Sequence, residues 1–125
     1  MPSRRPFAAT LAAAALAVSA AGCADDSPPE RVTAGRATVT LDDFFIAPQR
    51  IRAKPGRIMF RVTNQGKVGH TLRVQRGDRD VAGVKTLLPG QSAEASGTFA
   101  PGDYKLVCIL GNHEELGMYG TLTVR

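Results

Sequence analysis

The chain has 125 residues, 43% of them apolar and 22% charged, with a formal charge of +5. That length sets a single domain, and that balance excludes wholesale disorder. With 13 Gly, 8 Pro and no Trp, turns are frequent, which suits a β-rich fold better than a helical bundle.

Arg4 and Arg5 give the chain a positive start, and residues 7–21 carry no charge. Ala20, Ala21 and Gly22 then lead into Cys23. A basic start, a short apolar stretch and small residues at its end read as an export signal over residues 1–22. The stretch is shorter than the roughly 20 residues that span a bilayer. Ser19 to Cys23 resembles a bacterial lipobox, with Ala20 where Leu is usual. The first expectation is cleavage before Cys23 and lipidation of its thiol, giving an extracytoplasmic, membrane-anchored lipoprotein. The anchored protein would sit on the periplasmic or outer face, and a soluble secreted protein cleaved nearby is the alternative. Ser3 to Phe7 resembles a twin-arginine export motif only weakly.

Loss of Arg4 and Arg5 leaves 14 Lys and Arg against 11 acidic residues, a formal charge of +3. The basic residues are spread along apparent strands, and only seven aromatics exist. A nucleic-acid reader would cluster both, so nucleic acid is not an expected partner. Solvated strand faces remain, with a modest preference for acidic partners or an anionic membrane surface.

Residues 24–34 are polar, contain Pro28-Pro29 and show no periodicity. Residues 23–35 therefore read as a flexible tether, and residues 36–125 as the domain. Within it, Ala37, Val39 and Leu41 alternate with polar residues, as do Ile58, Phe60 and Val62, then Leu72 and Val74, then Tyr104, Leu106 and Cys108, then Leu122 and Val124. Period two marks half-buried strands. Turns are signalled at Lys54-Pro55-Gly56, Asn64-Gln65-Gly66, Arg76-Gly77-Asp78, Pro89-Gly90-Gln91 and Pro101-Gly102-Asp103. The expectation is an all-β fold, a small Greek-key β-sandwich of about seven strands. Phe44 and Phe45 are expected to pack inside it, with Ile46 and Pro48 nearer a docking surface. Asn112 to Leu116 has room for one helical turn, although the flanking glycines favour a loop.

Two cysteines are present, and Cys23 lies at the processing site. Cys108 is then a lone thiol in an oxidising compartment, which calls for a reason such as metal ligation. The spacing Cys108-x4-His113-x4-Met118 places a thiolate, an imidazole and a thioether on one short loop after a strand. Trigonal thiolate and imidazole ligation with a weak thioether suits copper electron transfer, because both oxidation states accept that geometry. The remaining imidazole can come only from His70, the other His of the chain, at the start of a predicted strand. Taken singly, Cys108 reads as a small core residue, His70 and His113 as surface groups and Met118 as core filler. Jointly they favour one type 1 copper ion. Glu114 and Glu115 are adjacent on a loop and read as solvated or steering charges rather than an acid–base pair.

The segment from Pro101 to Val124 resembles the cupredoxins, the blue copper family. The Pro101-Gly102-x-Tyr104 turn, the Cys-x4-His-x4-Met loop and the Gly-x-Leu-x-Val final strand carry the resemblance, and the loop spacing is similar to rusticyanin and auracyanin. The likeness extends less specifically over residues 36–125. It implies His70, Cys108 and His113 as equatorial ligands, Met118 as the axial one, and the Gly69 carbonyl as a weak opposite contact. It also implies His113 as the electron exit, with Leu110, Leu116 and Met118 as patch residues around it. Where many members place Asn after the first His, this chain has Thr71. A hydroxyl there is expected to replace only part of Asn's role in tying the loops and bonding the sulfur. The function implied is a monomeric carrier, not an enzyme, cycling Cu(I)/Cu(II) between redox proteins of cytochrome or oxidase type. A copper-binding or copper-delivery protein without an electron partner is the alternative. Multicopper enzymes need more imidazoles than two.

Overall fold

A computed structural model describes residues 27–125. The export signal and Cys23 lie outside the described residues. Ten strands follow one another: β1 (Glu30–Arg31), β2 (Arg36–Asp42), β3 (Phe45–Ala47), β4 (Arg50–Ala53), β5 (Gly56–Asn64), β6 (His70–Arg76), β7 (Arg79–Leu87), β8 (Ser92–Phe99), β9 (Gly102–Val107) and β10 (Tyr119–Val124). Among the described residues no helix forms.

The strands build two sheets, in the orders β1-β4-β10-β9-β6-β7 and β3-β2-β5-β8. Both are mixed: β2 runs parallel to β5 and β10 parallel to β4, while the other long pairings are antiparallel. Alternation explains the packing. Ala37, Val39 and Leu41 of β2 and Ile58, Phe60 and Val62 of β5 are buried, facing Leu72, Val74, Leu106, Leu122 and Val124 of the other sheet. Each Val, Leu, Ile or Phe among them contributes about 1.5–3 kcal/mol on burial. Phe99 stands between Phe60 and Tyr104, edge to face with both at 5.8 and 5.0 Å, and the Tyr104 hydroxyl donates to the Ala100 carbonyl at 2.8 Å.

The β-sandwich is as expected, but it has ten strands rather than about seven. β8 reads SAEASGTF, and its inward positions are Ala93, Ala95 and Gly97. These small residues are weak strand formers, so no apolar alternation announces the strand. β1, β3 and β4 are too short to show a period. Within residues 23–35, expected as a tether, the chain forms a short strand. Glu30 and Arg31 pair in parallel with Ile51 and Arg52, and the Val32 N–H donates to the Arg52 carbonyl at 2.8 Å. A third correction concerns β3. Leu41 pairs with Ile46, which turns Ile46 into the core and Phe45 outward, the latter 48% exposed.

Strand direction gathers one pole. Arg73 pairs with Val107, so β6 begins where β9 ends, and Tyr119 opposite Val107 starts β10 at the same end. Leu41 beside Asn64 brings the β2–β3 turn there as well. The expected core contribution is large and local: Phe60→Ala destabilises the metal-free domain by about 3–5 kcal/mol, and Phe45→Ala by no more than about 0.5 kcal/mol. Urea unfolding of the two variants checks the contrast.

Candidate metal centre

Three segments meet at this pole. The first is the β5–β6 loop, shaped by buried Asn64. Its Nδ2 donates to the carbonyls of Val68 and Leu87, both at 2.8 Å, and its Oδ1 accepts the Gly66 N–H at 2.8 Å. With three backbone groups satisfied by one side chain, the loop is held tightly where it delivers His70, itself fully buried. Gly69 is half-buried, and a Cβ there would stand 3.2 Å from Thr86 Cγ2.

The second segment is the loop after β9. Cys108 N–H donates to the Met118 carbonyl at 3.1 Å, Met118 N–H to the His113 carbonyl at 3.0 Å, and His113 N–H to the Leu110 carbonyl at 3.0 Å. The loop thus closes on itself. Its one helix-like bond, Leu116 N–H to the Asn112 carbonyl at 3.1 Å, does not propagate. Gly111 and Gly117 turn the chain at φ 47° and 124°, a region other residues avoid. Cys108 and Met118 are fully buried, while His113 is only partly so. Met118 therefore adds nothing to a surface patch. Leu116 is 51% exposed and Leu110 partly buried against the core.

The third segment is the β2–β3 turn, which carries Asp43 and Phe44. Asp43 Oδ1 lies 2.6 Å from His70 Nε2, and its Oδ2 accepts the Lys67 N–H at 2.7 Å. The Lys67 bond first, and then the bond to His70, hold the Asp43 carboxyl below its ordinary range. Phe44 packs edge-on against both imidazoles, at 4.9 Å from His113 and 6.0 Å from His70. Sequence analysis placed neither residue at the site. Adjacent acids in a turn look solvated, and the one signal was the Phe44-Phe45 pair, whose parity a three-residue strand does not reveal.

His70 Nδ1 and His113 Nδ1 are 3.2 Å apart, His113 Nδ1 and Cys108 Sγ 3.6 Å, and the three donor atoms all lie within 4.8 Å of one another. Donors about 2.0–2.3 Å from one first-row ion stand roughly 3.5–4 Å apart in a trigonal plane, so the cluster fits one ion. Cys108 is a free thiol. Its sulfur receives the Thr71 backbone N–H at 3.4 Å and the Thr71 hydroxyl at 3.8 Å, and the same hydroxyl accepts the Ile109 N–H at 3.2 Å. Thr71 does more than expected, because a hydroxyl can donate and accept at once. Two imidazoles and a thiolate with a buried methionine beside them on the loop is the donor set of a type 1 copper site.

Two-sheet architecture and donor set together define a cupredoxin-type sandwich. No family model matches the sequence, and no curated protein does. Solved structures do match. Reduced auracyanin from the photosynthetic bacterium Roseiflexus castenholzii superposes with a TM-score of 0.67 at 18% identity, over 75% of this chain and 99% of that one. An azurin from the obligate methylotroph Methylomonas sp. strain J gives 0.66 at 14% identity, over 74% and 99%. Auracyanin A, described as a "blue" copper protein from Chloroflexus aurantiacus, gives 0.61 at 16% identity, over 73% and 100%. The chain has the fold of these proteins.

Thr71→Val keeps the shape but removes the acceptor of the Ile109 N–H. It is expected to lower the stability of the metal-free domain by roughly 1–3 kcal/mol, whereas Thr71→Ser, which keeps the hydroxyl, avoids most of that loss. Denaturant unfolding of both variants measures it.

Proposed function

We propose that the protein holds one copper ion through His70, Cys108, His113 and Met118 and works as an exported one-electron carrier, not as an enzyme. The observation that carries this reading is the convergence of His70 Nδ1, His113 Nδ1 and Cys108 Sγ within 4.8 Å, at a place set by strand ends and loop hydrogen bonds. Copper, when bound, supplies a Cu(I)/Cu(II) couple whose two states both accept this ligand set.

The residues contribute constancy and access. His70, Cys108 and Met118 are fully buried, which keeps water from the donors. His113 is partly exposed and is the ring through which an electron enters and leaves. Around it lie Leu110, Leu116 and Ile109, the last 51% exposed, so the surface offered to a partner is apolar. Glu114 is engaged by Lys105, so it acts as a solvated surface charge. The partners in this reading are redox proteins of cytochrome or oxidase type, met by a monomer. The sequence around Cys23 supports a lipid anchor on the outer side of a cell membrane. A complete lipoprotein modification would hold it there, whereas a single chain anchors weakly.

Adding Cu(II) to the folded domain is expected to give an intense blue absorption. Cys108→Ser removes it while the β-sheet circular dichroism stays; a wild-type domain without the band, or a serine variant that keeps it, ends the copper reading. Leu116→Glu leaves the band and the potential alone but lowers the electron-exchange rate with a redox partner by about tenfold, the cost of one contact of about 1.4 kcal/mol. Stopped-flow kinetics on the copper-loaded protein read it.

A further inference from the structure

The Asp43 carboxylate is the least expected group at this pole. It is not a donor of the cluster, yet it makes the shortest contact that His70 has. A carboxylate only accepts hydrogen bonds. At 2.6 Å from Nε2, it requires that this nitrogen carry the ring proton. The other nitrogen, Nδ1, is then left with its lone pair. That lone pair faces His113 Nδ1 and Cys108 Sγ.

The surroundings hold the carboxylate in this place. Its second oxygen is occupied by the Lys67 N–H at 2.7 Å. Buried Gly66 packs directly against the pair: a Cβ there would fall 2.3 Å from Asp43 Oδ1 and 2.8 Å from His70 Nε2. Its backbone has no unusual φ, so the need for glycine here is one of space. Lys67 and Gly66 belong to the loop that delivers His70, whereas Asp43 belongs to the β2–β3 turn. The pair therefore joins two segments far apart in the chain.

We propose that Asp43 is a positioning residue that fixes the His70 tautomer and lowers the reduction potential of the copper centre. This rests on the copper reading above. A carboxylate bonded to the far nitrogen makes an imidazole a stronger donor and places negative charge near the metal. Both effects favour Cu(II) over Cu(I), since the more highly charged ion gains more from them. The Asp43 carboxylate accepts hydrogen bonds on both oxygens and carries that charge at neutral pH as carboxylates ordinarily do.

The test has a metal-free arm and a copper-loaded arm, both on the folded protein with β-sheet circular dichroism as the control. In metal-free wild type at mildly alkaline pH, nitrogen NMR is expected to show His70 as the Nε2–H tautomer. In Asp43→Ala the ring should shift toward the Nδ1–H form. In copper-loaded protein, Asp43→Asn keeps an acceptor but no charge, so the blue band stays and the potential rises. Asp43→Ala weakens Cu(II) binding by about 10- to 100-fold. Each tenfold loss of Cu(II) over Cu(I) raises the potential by about 59 mV. Gly66→Ala, which displaces the carboxylate without touching its charge, should move the tautomer and the potential in the same direction. A wild-type ring protonated on Nδ1 overturns the assignment. So do folded variants whose tautomer, affinity and potential all equal wild type. If wild type shows the Nε2–H tautomer but binds no copper, the copper reading falls and the positioning by Asp43 stands.

Discussion

Everything at the metal pole depends on holding three electron-rich atoms face to face. His70 Nδ1 and His113 Nδ1 at 3.2 Å, and Cys108 Sγ at 3.6 Å from the latter, are closer than bare lone pairs tolerate. With the Nε2 proton of His70 given to Asp43, His70 supplies no proton to this space. One ion of the right size satisfies all three atoms by bonding to each. The cluster is thus a site that gains from a metal while being set by groups other than the metal.

Those groups are distributed, and each ties a different pair of segments. Thr71 links the start of β6 to the exit of β9 by accepting the Ile109 N–H and donating to Cys108 Sγ. Asn64 links the end of β5 to the end of β7 through Leu87. Asp43 and Phe44 bring the β2–β3 turn against both imidazoles. The Cys108–Met118 backbone bond closes the last loop on itself. Loss of any single tie leaves the others in place, so the donors cannot drift far when the charge at the centre changes. Low motion on oxidation is what a carrier of single electrons needs. A protein that hands its metal onward needs the reverse, a ligand set that opens. The density of these ties supports the carrier proposed above.

How much of this could be read from the residues follows from how local each relation is. Cys108, His113 and Met118 share one loop, so their spacing is visible in the chain. His70 could be picked because no other imidazole remained. The β-sandwich was legible where large apolar residues alternate, as in β2, β5 and β10. It was illegible in β8, where Ala and Gly take the inward places, and in the short β3, whose pairing with β2 alone decides that Ile46 turns in. The partners of the donors were the hardest. Asp43 reaches His70 only because β2 lies parallel to β5, with Leu41 opposite Asn64. Nothing near residue 43 in the sequence reports that pairing. The reading of Thr71 fell short for another reason: its residue type was known, but both of its bonds depend on where the β9 loop begins.

The burial of the four donors also decides how the centre can communicate. His70, Cys108 and Met118 are closed off, and His113 alone among them reaches the surface. Phe44 leans on the His113 ring from one side, and Leu110, Ile109 and Leu116 lie along the same loop. Of the charges closest in sequence, Glu114 is paired with Lys105 and Glu115 is exposed. In the carrier proposed above, partner binding at this pole draws chiefly on a small apolar contact. Small contacts of this kind belong to short-lived encounters, as electron-transfer pairs generally are. The proposed carrier would have to release its partner after every electron, and one partly exposed ring in a small apolar surround suits that requirement.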